Sequence, residues 1–143
     1  MRLRRLALLM PINNKGQILL QHRTADAPIK PDHWAFFGGH IEEGEHAKKA
    51  AEREFKEELQ AEAENLKFFY HYIFDEERDG EWEKVERFYY SFPFHEDVAK
   101  LKSQQLEGDN LGYFGPDDLD GLKISENDRR VLDLFFNVLW YRP

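Results

Sequence analysis

Apolar residues along this chain follow two rhythms, one of period two and one near 3.6, and the switches between them predict its elements. Leu6 to Ile12 and Gln17 to His22 are short apolar runs separated by the turn-forming Asn13-Asn14-Lys15-Gly16, which predicts two strands. Arg23 to His33 is polar, contains Pro28 and Pro31, and reads as a loop. Trp34 to Phe37 predicts a short aromatic strand that delivers Gly38-Gly39. From His46 to about Gln60, the residues Ala47, Ala50, Ala51, Phe55 and Leu59 recur at helical spacing and supply a buried stripe. Leu66 to Phe74 and Val85 to Phe94 predict strands flanking a polar hairpin, Asp75 to Trp82, with a turn signal at Asp79-Gly80. Asp97 to Leu106 reads as a linker with at most a short helical turn, Gly112 to Phe114 as a short strand, and Pro116 to Leu119 as a helical turn. Ser125, with Asp128 three residues on, predicts the cap of a last helix from about Glu126 to Trp140. With neither a repeat nor a linker between domains, residues 1–143 read as one domain of α+β or α/β sandwich class.

Bulk composition narrows the class of partner. Twelve Phe, six Tyr and three Trp supply enough apolar surface for a packed core and argue against disorder. Such aromatic richness is compatible with a homodimer. The formal net charge of -8 disfavours a nucleic-acid polymer, an RNA end included, because polymer binding rests on neutralising many phosphates. A small phosphate ester carried by a metal ion fits an acidic protein. The absence of cysteine excludes disulfides, thiol chemistry and cysteine-bound zinc, and is in keeping with a cytoplasmic location. Met1 to Met10 has a basic start, but Pro11, Asn13 and Asn14 follow a short apolar run with no small-residue cleavage site. It reads as a strand rather than a signal peptide, and no run is long enough to span a membrane. The six histidines show no zinc spacing, and serine-hydrolase and P-loop motifs are missing.

The segment from Gly39 to Glu58 carries the chemistry. Glu54, Glu57 and Glu58 lie three and four residues apart, so a helix presents all three on one side. Like charges at that spacing repel, and a hard divalent cation, Mg2+ or Mn2+, would offset the repulsion through oxygen ligands. The alternative is a solvated acidic face. The spacing Gly39, five residues, Glu45, seven residues, Arg53-Glu54-Phe55, one residue, Glu57-Glu58 resembles the signature box of the Nudix hydrolases. The box of that family ends in a glycine and an aliphatic residue, where this chain has Gln60 and Ala61. Loss of the helix-ending glycine predicts a helix running a little further, toward Ala63.

The resemblance implies the Nudix fold, a mixed sheet between helices, and hydrolysis of a phosphoanhydride in a nucleoside diphosphate linked to another group. It also implies roles. Glu57 and Glu58 would be metal ligands, Glu54 a ligand or the general base, and a carbonyl at Gly39 a further ligand. Glu45 would either join through water or pair with Arg53 to hold the turn against the helix; the second, structural role is favoured for Arg53. Glu107, just before the Gly-Tyr-Phe strand, matches a loop glutamate that in MutT-like members is an extra ligand or the base; an ordinary loop acid is the alternative. Arg23 matches an arginine that touches substrate phosphate in that branch. Phe36, beside the glycines, would stack on a base or simply fill the core. Relatives often have proline before the double glycine, where this chain has Phe37. Asn127 falls where the MutT-like branch reads its purine, and its amide offers both donor and acceptor, although asparagine is also ordinary at a helix start. The expected substrate is a small nucleotide, foremost a nucleoside triphosphate, oxidised ones of the 8-oxo-dGTP type included. A nucleotide sugar of ADP-ribose or GDP-mannose type and a non-catalytic nucleotide sensor are the alternatives.

Overall fold

The computed structural model describes residues 1–139, with side chains described to residue 137. Its centre is β1 (Arg2–Ile12), whose residues from Leu6 to Pro11 are buried. A continuous apolar run of this kind suits a strand covered on both faces. Along one edge β1 pairs in parallel with β6 (Glu81–Pro93). Along the other it pairs antiparallel with β4 (Phe37–His40) and, at Ile12, with β2 (Ile18–His22). The sheet is completed by β3 (Trp34–Ala35) and β7 (Asn110–Phe114) on β2 and by β5 (Lys67–Arg78) on β6, giving seven strands of mixed direction.

Alternation along β1 divides the core in two. Ala7 and Leu9 face α1 (Ala47–Leu59), packing with Ala50, Ala51, Phe55, Phe92 and Phe94. Leu6, Leu8 and Met10 face α3 (Glu126–Leu139), packing with Tyr89, Val131, Leu132 and Phe135. Helices on opposite faces of a mixed sheet make the expected α/β/α sandwich. A third, short helix, α2 (Val98–Gln104), fills the region read as linker; Asp97 caps it by accepting from the Lys100 N–H, and Leu101 is its buried anchor. Among the described residues no helix is long and apolar enough to cross a membrane.

Three expectations are corrected. The polar stretch Asp75 to Trp82 is strand almost throughout, and only Asp79 and Gly80 turn, both with positive φ. Charge pairing explains this: Lys84 reaches Asp75 across the ribbon, and Arg4 of β1 pairs with both Glu76 and Glu83. The aromatic strand is split at Phe36, because β3 pairs with β2 whereas β4 pairs with β1. The first helix does not run on toward Ala63. Gln60 takes the left-handed conformation (φ 54°, ψ 39°) that glycine usually supplies, and its N–H closes on the Lys56 carbonyl. At α3, Ser125 Oγ accepts from the Asp128 N–H, but the Asp128 carboxylate turns to Arg87. The expected end at Trp140 lies outside the described residues.

Phe55 is fully buried and meets Phe37, Phe92 and Phe94 edge to face. Phe55→Ala is expected to cost about 3–5 kcal/mol in urea unfolding, from lost transfer energy and the cavity left behind.

Candidate active site

The glycines and the helix approach each other because β4 lies against α1. At Gly38 (φ 140°) a Cβ would sit 2.2 Å from the Ala7 carbonyl oxygen, so only glycine keeps β4 paired to β1. At Gly39 a Cβ would lie 2.5 Å from the Glu54 carboxyl carbon. The missing side chains therefore make room for a carboxylate against backbone.

Glu58 is the most unusual group of the molecule. It is 3% exposed, and no lysine or arginine among the described residues pairs with it. Its carboxylate accepts the Gly38 N–H at 3.0 Å and a longer contact from Gln21 Nε2 at 3.4 Å. Burial, reinforced by the negative charge of Glu107, pushes its pKa up to about 9. Glu54, partly buried, is also raised, first by burial and in part by Glu57 and Glu107. Burial beside neighbouring carboxylates raises the proton affinity of Glu58 and Glu54, a situation a divalent cation relieves, and oxygen donors suit Mg2+ or Mn2+.

Arg53 acts as a brace. Its Nε and Nη2 grip the Glu45 carboxylate at 2.8 and 3.0 Å, Nη2 donates to the His40 carbonyl, and Nη1 donates to Glu54 and Glu57. The grip of Arg53, with the Glu42 N–H, brings Glu45 down to about 2. These contacts tie the 41–46 turn to α1. Glu57 is exposed, with its carboxylate turned to Arg53. Among the described residues no three acids or histidines form a preassembled metal cage. Glu54, Glu58 and Glu107 nonetheless fit Mg2+, which keeps several waters and takes one or two carboxylates directly. Glu57 would join by releasing Arg53.

A cleft runs from Gly38, Gly39 and Glu107 to the start of α3. Arg23, Phe36 and Asn127 all line it. Arg23 is steadied by its Nε bond to the Ile29 carbonyl. Phe36 is 4% exposed and packs edge to face on Tyr89, so its first task is the core. Asn127 Oδ1 accepts from the Tyr72 hydroxyl, which leaves its amide NH2 without an acceptor among the described residues. Sequence reasoning missed Gln21, Arg87 and Asp128. Arg87 donates to Asp128 at 2.6 Å and to the Tyr89 hydroxyl at 3.1 Å, while its buried Nε lacks a partner among the described residues. A polar residue at a buried position of an otherwise apolar strand was the available signal for Gln21, whereas Arg87 lies among the charged residues of β6 and carries no such signal.

The raised Glu58 sets a pH dependence. Its folded pKa lies above its unfolded value, so the folded state binds the extra proton, and metal-free stability falls as pH rises from about 4.5 to about 9. Glu58→Gln is expected to raise the metal-free melting temperature at pH 8 by roughly 3–6 °C and to have little effect at pH 4. Calorimetric melting of both proteins in EDTA checks it. An equal shift at both pH values would contradict a buried ionisable Glu58.

A stretch of 48 residues is 46% identical to the nucleoside triphosphatase NudI of Klebsiella pneumoniae, covering 34% of this chain and 34% of that protein. The fold is shared with an Ap4A hydrolase of C. elegans, solved as a binary complex (TM-score 0.70, 24% identity, 96% of this chain and 98% of that one). It is shared too with the MutT protein of Bacillus halodurans (TM-score 0.72, 20% identity, 91% and 80%). The model of the NUDIX domain matches residues 1–135, and the chain therefore belongs to the NUDIX domain family.

Proposed function

We propose that this chain is a Mg2+- or Mn2+-dependent pyrophosphohydrolase that cleaves a phosphoanhydride in a nucleoside diphosphate linked to another group. The foremost substrate is a nucleoside triphosphate, oxidised purines included, converted to the monophosphate and pyrophosphate. The observation that carries this reading is the buried Glu58 carboxylate beside Glu54 and Glu107, at one end of a cleft lined by cationic and amide groups. The NudI likeness and the MutT-like fold support the triphosphate as lead, and the cleft's Asn127, Arg87 and Asp128 suit the edge of a base.

The chain's own residues divide the work. A divalent cation held there would supply the positive charge that offsets the negative charge developing on the anhydride. Glu58, fixed by the Gly38 N–H and Gln21, would be the rigid ligand, Glu57 a mobile one, and Glu107 a further ligand from its loop. Glu54 accepts the proton of the attacking water, since its burial raises its basicity while Arg53 Nη1 orients it. Water adds to phosphorus, the P–O bond of the α–β bridge breaks, and the leaving group, pyrophosphate or the nucleoside monophosphate according to which phosphorus is attacked, departs with the electron pair. Arg23 meets a substrate phosphate along the cleft.

A release screen with Mg2+ and Mn2+ tests this over ordinary and 8-oxo nucleoside triphosphates, dinucleoside polyphosphates, ADP-ribose and nucleotide sugars. Pyrophosphate from a triphosphate is expected, with Glu58→Gln and Glu54→Gln each lowering kcat by roughly 10²–10⁴-fold. Turnover confined to a nucleotide sugar or a dinucleotide would keep the site and replace the substrate. Tight nucleotide binding without release would make the chain a sensor. Unchanged turnover in Glu57→Gln and Glu58→Gln would remove the assigned site.

A further inference from the structure

The Gln60 backbone is held where a helix would ordinarily need glycine, and what holds it is the segment leading to Glu107. Gln60 Nε2 donates to the Gln104 carbonyl at 2.8 Å. In return, Gln104 Nε2 donates to the carbonyls of Leu59 at 2.9 Å and Gln60 at 3.3 Å. Ending the helix at this point leaves the carbonyls of its last turn unpaired. The Glu58 carbonyl accepts the Leu106 N–H at 2.8 Å, so the backbone of a site glutamate is bonded directly to the residue before Glu107. The far side of the loop is closed as well. Gln105 Nε2 bridges the carbonyls of Glu107 and Asn110, and the Asp109 N–H and carboxylate bond the His22 carbonyl and ring. Glu107 itself is exposed, so its place over the site depends on how its backbone is tied.

We propose that Gln60 and Gln104 are positioning residues. Their reciprocal amide clamp ties the end of α1 to the end of α2, keeps the Glu58 carbonyl open for Leu106, and thereby holds Glu107 over the carboxylate site. The task of Glu107 rests on the hydrolase reading above; the clamp itself does not. A helix end alone would be served better by glycine, which takes this conformation without strain. Gln at that position supplies a side chain that glycine lacks.

Gln60→Gly separates the two roles. Its melting temperature is expected to hold or rise, while the Leu106 amide exchanges faster by NMR and calorimetric Mn2+ affinity falls roughly tenfold, the scale of a lost supporting contact. Gln104→Ala is expected to reproduce both losses and decides the matter if Gln60→Gly folds poorly. In a Glu107→Gln background Gln60→Gly should cost no further affinity. Unchanged Leu106 protection and Mn2+ affinity in both variants would overturn the proposal, as would a full additional loss in the Glu107→Gln background. If the wild-type chain binds no Mn2+, the metal reading fails by itself, and Leu106 exchange still decides whether the clamp holds the loop.

Discussion

Burying the Glu58 carboxylate without a cationic side chain is the constraint on which the site depends. A charge so placed is costly unless hydrogen bonds and a counter-ion offset it. The sheet answers with one backbone N–H, from Gly38, and that donor is available only because β4 lies close enough to β1 to exclude any Cβ. The arginine of that helix, Arg53, is committed to Glu45, the His40 carbonyl, Glu54 and Glu57. The folded state holds Glu58 at a cost in stability that grows with pH, a trade familiar at functional sites.

The two core layers position the ends of the cleft independently. Phe55 and its aromatic neighbours seat α1, and with it the acidic face, on one side of β1. Phe135, Val131 and Tyr89 seat α3 on the other, which brings Asn127 and Asp128 to the far end. The sheet spans both: Gln21 of β2 reaches Glu58, and Arg87 of β6 reaches Asp128. The mixed sheet between them thus joins the acidic end of the cleft to the Asn127 end through hydrogen bonds from its own strands.

Much of this was legible in the sequence. Periodicity alone located the box helix, both strands of the long hairpin and the start of the last helix, since those signals are set by which local faces are apolar. The box spacing named the carboxylates, because helix geometry converts three- and four-residue spacing into one face without knowledge of the rest of the fold. The errors share a cause. The polar ribbon beyond Phe74 stayed a strand because Arg4, some seventy residues earlier in the chain, pairs with Glu76 and Glu83. Helix α1 stopped at Leu59 because Gln104 and Leu106 take its terminal carbonyls.

Residue types and local spacing, then, determined the family, the fold class and the acidic side chains. Tertiary structure decided which acid of the box is buried, that Arg53 pairs with Glu45, that Phe36 packs on Tyr89, and that Gln21, Arg87 and Asp128 join the cleft. Those outcomes depend on desolvation and on hydrogen bonds between residues distant in sequence, and both exist only once the sheet has brought the partners together.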